Sequence, residues 1–224
     1  LPLVRAALRN SLSGHSLAWF PNLLVTGLTY GICIIAVPLI ATGATGWSED
    51  QLGSLNGTAQ LVAGIATIAI GGYVVGRIGA QRSLWMLRLL SVALLGWMIW
   101  SSESWSDPKV LMAFVFGWIG LHFLSGISDV VINMRLSPPA ISATQFSIFM
   151  AVSNMGISLA GIVVGSIAML AEPRAMLLFL MTVQGASVLM LLLFKFPEQQ
   201  IGGLARAGDG GRTVPPPGAT PARD

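Results

Sequence analysis

Residues 118–145 read WIGLHFLSGISDVVINMRLSPPAISATQ. The stretch starts inside a long apolar run, carries His122 and Asp129 into it, and stops at Arg135 and the Pro138-Pro139 pair. An ionisable side chain at the centre of a membrane helix costs about 2.5–3.5 kcal/mol on insertion scales, so it faces protein or a watery cavity and marks a working site. At about 100° per residue, Trp118, His122, Ser125, Asp129 and Asn133 share one face, and the other faces are Leu, Ile, Val and Phe. Embedded in lipid, such a helix is expected to form the wall of a pathway.

The rest of the chain fits a membrane setting. It is 54% hydrophobic and 9% charged, with a mean hydropathy of +0.77, whereas soluble domains carry about 25% charged residues. The single cysteine, Cys33, lies in an apolar run and excludes a disulfide framework or a cysteine-based zinc site. No cofactor or metal is expected. The formal charge of +3 comes mostly from arginines at the ends of apolar runs, without a basic block or interleaved aromatics, so topology signals are read here and no nucleic-acid partner.

Outward from the opening stretch, six runs approach the roughly 20 residues that cross a bilayer as a helix: 21–42, 52–76, 83–102, 110–133, 143–171 and 175–196. Together they predict an all-α transmembrane domain over 17–196. Residues 1–16 read as a cytoplasmic N-terminal linker. Residues 197–224, rich in Gly, Pro and Arg, are expected to be a disordered cytoplasmic tail. The chain opens on Leu1 and not Met, and its first run is longer than the roughly 7–15 apolar residues of a cleaved signal peptide.

Charge orients the bundle. Arg5 and Arg9, then Arg77, Arg82 and Arg88, then Arg135, then Lys195 and the tail arginines fall at alternate ends. The opposite ends hold Lys109 and Arg174 among Glu49, Asp50, Glu103, Asp107 and Glu172. Cytoplasmic loops accumulate Lys and Arg, which places both termini in the cytoplasm.

Polarity repeats along the chain. The first span carries Asn22, Thr26, Thr29, Tyr30 and Cys33 on one face, as the fourth carries its stripe. The second carries Gly53, Asn56, Gln60, Gly64, Thr67 and Gly71, and the fifth carries Ser147, Asn154, Ser158, Gly161 and Gly165. The third and sixth spans are expected to lack such a stripe. Three helices repeated twice, with an odd number per repeat, predict an inverted 3+3 arrangement of the kind found in each half of a major facilitator transporter.

Two motifs bear on that family. Residues 72–82, GYVVGRIGAQR, resemble the major facilitator loop signature between the second and third helices of a half, with Gly76 where the signature has an acidic residue. Ser142-Ala143-Thr144-Gln145-Phe146, followed by Ala151-Val152-Ser153-Asn154-Met155-Gly156, resembles AmpG-like permeases over roughly residues 135–165. The resemblance implies the C-terminal six-helix half of a bacterial inner-membrane permease, working with an N-terminal half or a second copy amid membrane lipid. It also implies proton-driven uptake of a muropeptide or another amphipathic small-molecule substrate, with the first and fourth spans lining the cavity and the second and fifth gating it.

Candidate residues carry open alternatives. Asn22, Thr26, Tyr30, Asn56, Gln60, Trp118, His122, Ser125 and Asn154 are the substrate-contact candidates, although amides such as Asn56, Gln60 and Asn154 also join membrane helices. His122, near mid-span, suits proton coupling or a neutral hydrogen bond. Asp129 and Asn133 are coupling or gate candidates, and Asp129 is expected to carry a proton, bind a cation, or latch onto Arg77, Arg82 or Arg135. Ser142 and Gln145, three apart, predict a capping box. Gly53-x-x-x-Gly57, Gly72-x-x-x-Gly76 and Gly161-x-x-x-Gly165 are expected to be packing surfaces. A six-helix intramembrane hydrolase using Ser125, His122 and Asp129 is the alternative, weakened because a serine and its base normally come from separate elements. A non-transporting membrane scaffold or sensor is a further alternative.

Overall fold

The computed structural model describes residues 2–167 and 172–194. In lipid a chain can satisfy its backbone N–H and C=O groups only internally, so the apolar runs become helices. In order these are α1 (Pro2–Ser11), α2 (Gly14–Ile40), α3 (Glu49–Ala66), α4 (Gly72–Ile78), α5 (Ala80–Trp100), α6 (Pro108–Arg135), α7 (Ser142–Ser166) and α8 (Pro173–Leu193), with no strand among the described residues. A π-helical turn, Ala41–Thr45, extends α2, and another, Thr67–Gly71, joins α3 to α4 in one rod. Six units are long and apolar enough to cross a membrane: Gly14–Thr45, Glu49–Ile78, Ala80–Ser104, Pro108–Arg135, Pro139–Ser166 and Pro173–Leu193. This is the make-up of a multi-pass membrane protein.

Local chemistry sets the ends. Ser48 and Gln51 form a reciprocal capping box at the start of α3, with Gln51 N–H donating to Ser48 Oγ at 3.3 Å and Ser48 N–H to Gln51 Oε1 at 3.0 Å. Asp107 caps α6 by accepting from Lys109 N–H at 2.9 Å, with Pro108 in the first turn where its missing donor is harmless. Gly46 at φ +67° and Gly79 at φ +89° make the turns after the first and second spans in backbone conformations open to glycine.

Several sequence expectations are corrected here. The first span begins at Gly14, seven residues before 21, and runs through Pro21, because a membrane helix tolerates the one lost hydrogen bond. The segment 1–16 contains α1. The expected capping box at Ser142 and Gln145 is absent: Ser142 Oγ donates to the Pro139 carbonyl, and Gln145 is fully buried, its Oε1 accepting from Ser11 Oγ at 3.2 Å. Residues 168–171, 195–196 and the tail 197–224 lie outside the described residues.

Packing follows a simple scheme. α2 lies against α7 and α8, α5 against α6 and α8, and α3 against α6. The closest crossing is between α2 and α7. A Cβ on Gly27 would stand 1.8 Å from the Ser153 carbonyl oxygen, and one on Gly156 would stand 2.3 Å from that of Leu24. Gly31 faces Ala160 in the same seam. The three predicted Gly-x-x-x-Gly surfaces are not used this way, since nothing lies within 4 Å of a Cβ at Gly53, Gly57, Gly72, Gly76, Gly161 or Gly165. Without a hydrophobic drive between helices in lipid, close van der Waals approach is what small residues contribute, and Gly27, Gly31 and Gly156 contribute it.

Two apolar clusters fill the bundle. One, towards the end bearing Glu49, Glu103 and Glu172, contains Ile32, Leu95, Phe114, Trp118 and Leu180; the other, towards the arginine-rich end, contains Trp19, Leu84, Ile132, Phe149 and Leu191. Along α2, α5, α6 and α8 alike, the buried residues between those clusters include polar ones, among them Thr29, Arg88, Ser91, Ser125, Asp129, Gln184 and Ser187. A polar layer therefore crosses the middle of the bundle.

Candidate functional site

The layer is organised around a charge that composition alone assigns elsewhere. Arg88, counted by position among the basic end groups, lies eight residues into α5, about 12 Å along the helix, and is 3% exposed. A buried guanidinium needs acceptors on several sides. Nη1 donates to Gln184 Oε1 at 3.0 Å, Nη2 donates to Thr26 Oγ1, and Nη2 stands 3.6 Å from Asp129 Oδ2. Asn22 Nδ2 donates to Asp129 Oδ1 at 3.3 Å, and Asn22 Oδ1 accepts from Ser187 Oγ at 3.4 Å. Four spans thus meet at one ion pair. The third and sixth spans, expected to be featureless, supply Arg88, Gln184 and Ser187. Where a latch between Asp129 and Arg77, Arg82 or Arg135 was expected, the ion pair among the described residues is with Arg88, whose place inside α5 brings it beside Asp129.

Beside this layer lies a pocket of ≈ 170 Å³ between the first, second and fourth spans. Tyr30, Asn56, Gln60, Trp118 and His122 line it together with Cys33, Phe123 and aliphatic side chains. The His122 ring stacks on Tyr30 with centroids 4.5 Å apart and planes at 17°, and Trp118 stacks on Phe114 at 6.3 Å. A second space of ≈ 10 Å³, on the scale of a single water, is lined by Thr26, Thr29, Arg88, Ser91, Ser125 and Gln184. Trp118 and His122 border both spaces.

The candidates separate accordingly. Tyr30, Asn56, Gln60, Trp118 and His122 share the pocket; Thr26 and Ser125 face the inner space; Asn22 and Asp129 belong to the ion-pair network. Asn133 accepts from Trp19 Nε1 at 2.8 Å near the arginine-rich end. Asn154 is exposed on α7, outside the pocket. Arg77 is exposed, its guanidinium carbon 5.3 Å from the centre of the Tyr73 ring, and Arg82 is exposed beside Gln81, Trp85, Leu191 and Leu192. Ser125, His122 and Asp129 all lie on α6, with no hydrogen bond between them.

Arg88 is the residue sequence reasoning misplaced, and the signal was available: it stands inside the 83–102 run and not at its edge. Gln184, a lone amide in the middle of an apolar span, is the matching signal on the sixth. No family model, curated protein or solved structure matches the chain.

Proposed function

We propose that the chain is the C-terminal six-helix half of a major facilitator permease of the AmpG-like kind, carrying a muropeptide or another amphipathic solute with protons across the bacterial inner membrane, both termini in the cytoplasm. The observation that carries the reading is the pocket itself. At mid-depth, Tyr30 and His122 present aromatic faces while Asn56 and Gln60 present amides, all beside a buried charge pair. Aromatic walls with a few convergent polar groups suit an amphipathic ligand.

Two further observations support it. The packing scheme maps onto itself when spans one, two and three are exchanged with four, five and six: one on five becomes four on two, three on four becomes six on one, and three on six is unchanged. The second and fifth spans are the least buried of the six and present Gly53, Gly57, Gln60, Asn154, Ser158 and Gly161 outward. Small and polar residues on membrane helices suit close docking of another helical half.

The test is uptake of a muropeptide by proteoliposomes containing this chain with its partner half. Tyr30→Ala and His122→Leu remove the stacked pair and should each lower uptake at least about tenfold, the equivalent of about 1.4 kcal/mol. Undiminished uptake in both variants refutes the pocket as the substrate site.

A further inference from the structure

The third and sixth spans pack against one another. At the end bearing Glu103 and Glu172 they also border a space of ≈ 510 Å³, which shares no lining residue with the pocket at Tyr30 and His122. Three of its residues stand at the ends of helices: Trp100 closes α5, Glu103 lies in the short 3-10 turn that follows, and Arg174 lies in the first turn of α8. The deeper lining is Gly96, Ile99 and Met181. Gly96 is four residues from Trp100 and Met181 seven from Arg174, about 6 and 10 Å further into the bundle along their helices. The lining therefore passes from charged to apolar with depth. A phospholipid changes in the same order, from headgroup to acyl chain.

The charges at the rim are opposite and unpaired. Among the described residues, Glu103 and Arg174 form no ion pair with each other, and Arg174 forms none with Glu172. Both are exposed, and Trp100 is 85% exposed. Taken singly, a tryptophan at this level is an interfacial anchor and an exposed charge is solvated. Here a carboxylate, a guanidinium and an aromatic face line one concavity. That set complements a molecule carrying a cation and an anion close together.

We propose that this groove binds the headgroup of a zwitterionic phospholipid with a primary ammonium, of the phosphatidylethanolamine class, from the leaflet at this end of the bundle. The phosphate sits on Arg174, whose planar fork of donors matches it. The ammonium donates to the Glu103 carboxylate and lies against the Trp100 ring, which attracts cations. The upper acyl carbons pass over Ile99 and Met181, and Leu178, one turn below Arg174 and 44% exposed, continues the apolar track. A choline headgroup has no N–H to donate to Glu103. Phosphatidylglycerol has no cation at all and would set its phosphate beside an uncompensated carboxylate. A soluble headgroup would leave the apolar lining uncovered, so the membrane is the source of the ligand. The site goes beyond the transport reading and requires neither a partner half nor a carried solute.

The test is native mass spectrometry of the full chain in detergent, titrated with phosphatidylethanolamine, phosphatidylcholine and phosphatidylglycerol of identical acyl chains, and with phosphoethanolamine as the free headgroup. Phosphatidylethanolamine should be the first lipid bound, about fivefold more tightly than either of the others, the scale of one interfacial ion pair. Glu103→Gln should bring phosphatidylethanolamine and phosphatidylglycerol to within about twofold of one another, and Arg174→Gln should weaken all three lipids about fivefold. Lys109→Gln, which removes another exposed cation at the same end but outside the groove, should change neither affinity nor order. All three substitutions are at exposed positions, where folding is little affected. Equal affinity for the three lipids, unchanged selectivity in Glu103→Gln, or a Lys109→Gln effect as large as that of Arg174→Gln overturns the proposal. Phosphoethanolamine binding as tightly as the intact lipid would make a soluble zwitterion the ligand, and a lipid-free dimer that dissociates on Arg174→Gln would give the groove to a second copy; either result overturns it too.

Discussion

Arg88 on the third span and Asp129 on the fourth pair across the middle of the bundle at 3.6 Å, at 3% and 6% exposure. Breaking a buried pair by removing one partner leaves a lone charge and costs about 3–5 kcal/mol. Arg88→Gln and Asp129→Asn should each lower the unfolding free energy of the detergent-solubilised protein by about that amount. The double variant should recover most of the loss. Additive losses in a double-mutant cycle would show that the two side chains do not depend on one another.

The α2–α7 seam should be intolerant of bulk. Gly27→Val drives a side chain into the Ser153 carbonyl, and overpacking of this kind costs about 1–3 kcal/mol or more. Gly161→Val, with nothing within 4 Å of its Cβ, should change thermal stability by less than about 0.5 kcal/mol. Equal melting temperatures for the two variants would contradict the crossing.

Cysteine labelling maps the water-facing surfaces. In a Cys33→Ser background, cysteines at Tyr30, Asn56 and Gln60 should react with a hydrophilic maleimide, since these residues line the pocket. A cysteine at Ser125 should resist, although it shares the polar stripe of α6, because it is only 5% exposed and borders only the inner space. Equal rates at Tyr30 and Ser125 would mean that the inner space is open.

Gln145 ties the N-terminal helix to the fifth span. Gln145→Ala removes the acceptor of Ser11 Oγ at 3.2 Å, a bond worth about 1 kcal/mol. Amide hydrogen exchange should rise across α1 and leave the spans unchanged. Loss of the whole fold would show that the contact does more than anchor α1.

Much of the site was legible in sequence because its signals are local. His122 and Asp129 stand out against an apolar run, and the periodicity of α6 aligns them with Trp118. Tyr30, Asn56 and Gln60 were likewise readable as stripes on their own helices, and the structure gathers them with Trp118 and His122. Arg88 was not placed, because an arginine a short way inside an apolar run still reads equally as a topology signal or a buried cation. Gln145 failed for a related reason: Ser-x-x-Gln is a cap only if the glutamine has no better partner, and Ser11, 134 residues away, provides one.

By itself, the sequence determined that this protein is a set of six apolar helices with interruptions at known places, because lipid leaves the backbone no alternative and glycine, proline and charge mark where each rod ends. Tertiary structure alone decided which glycines form the seam, which arginine neutralises Asp129, and which polar stripes meet at a pocket. Those outcomes depend on how helices distant in sequence approach one another, and helical periodicity fixes the face a residue occupies but not the helix that face will meet.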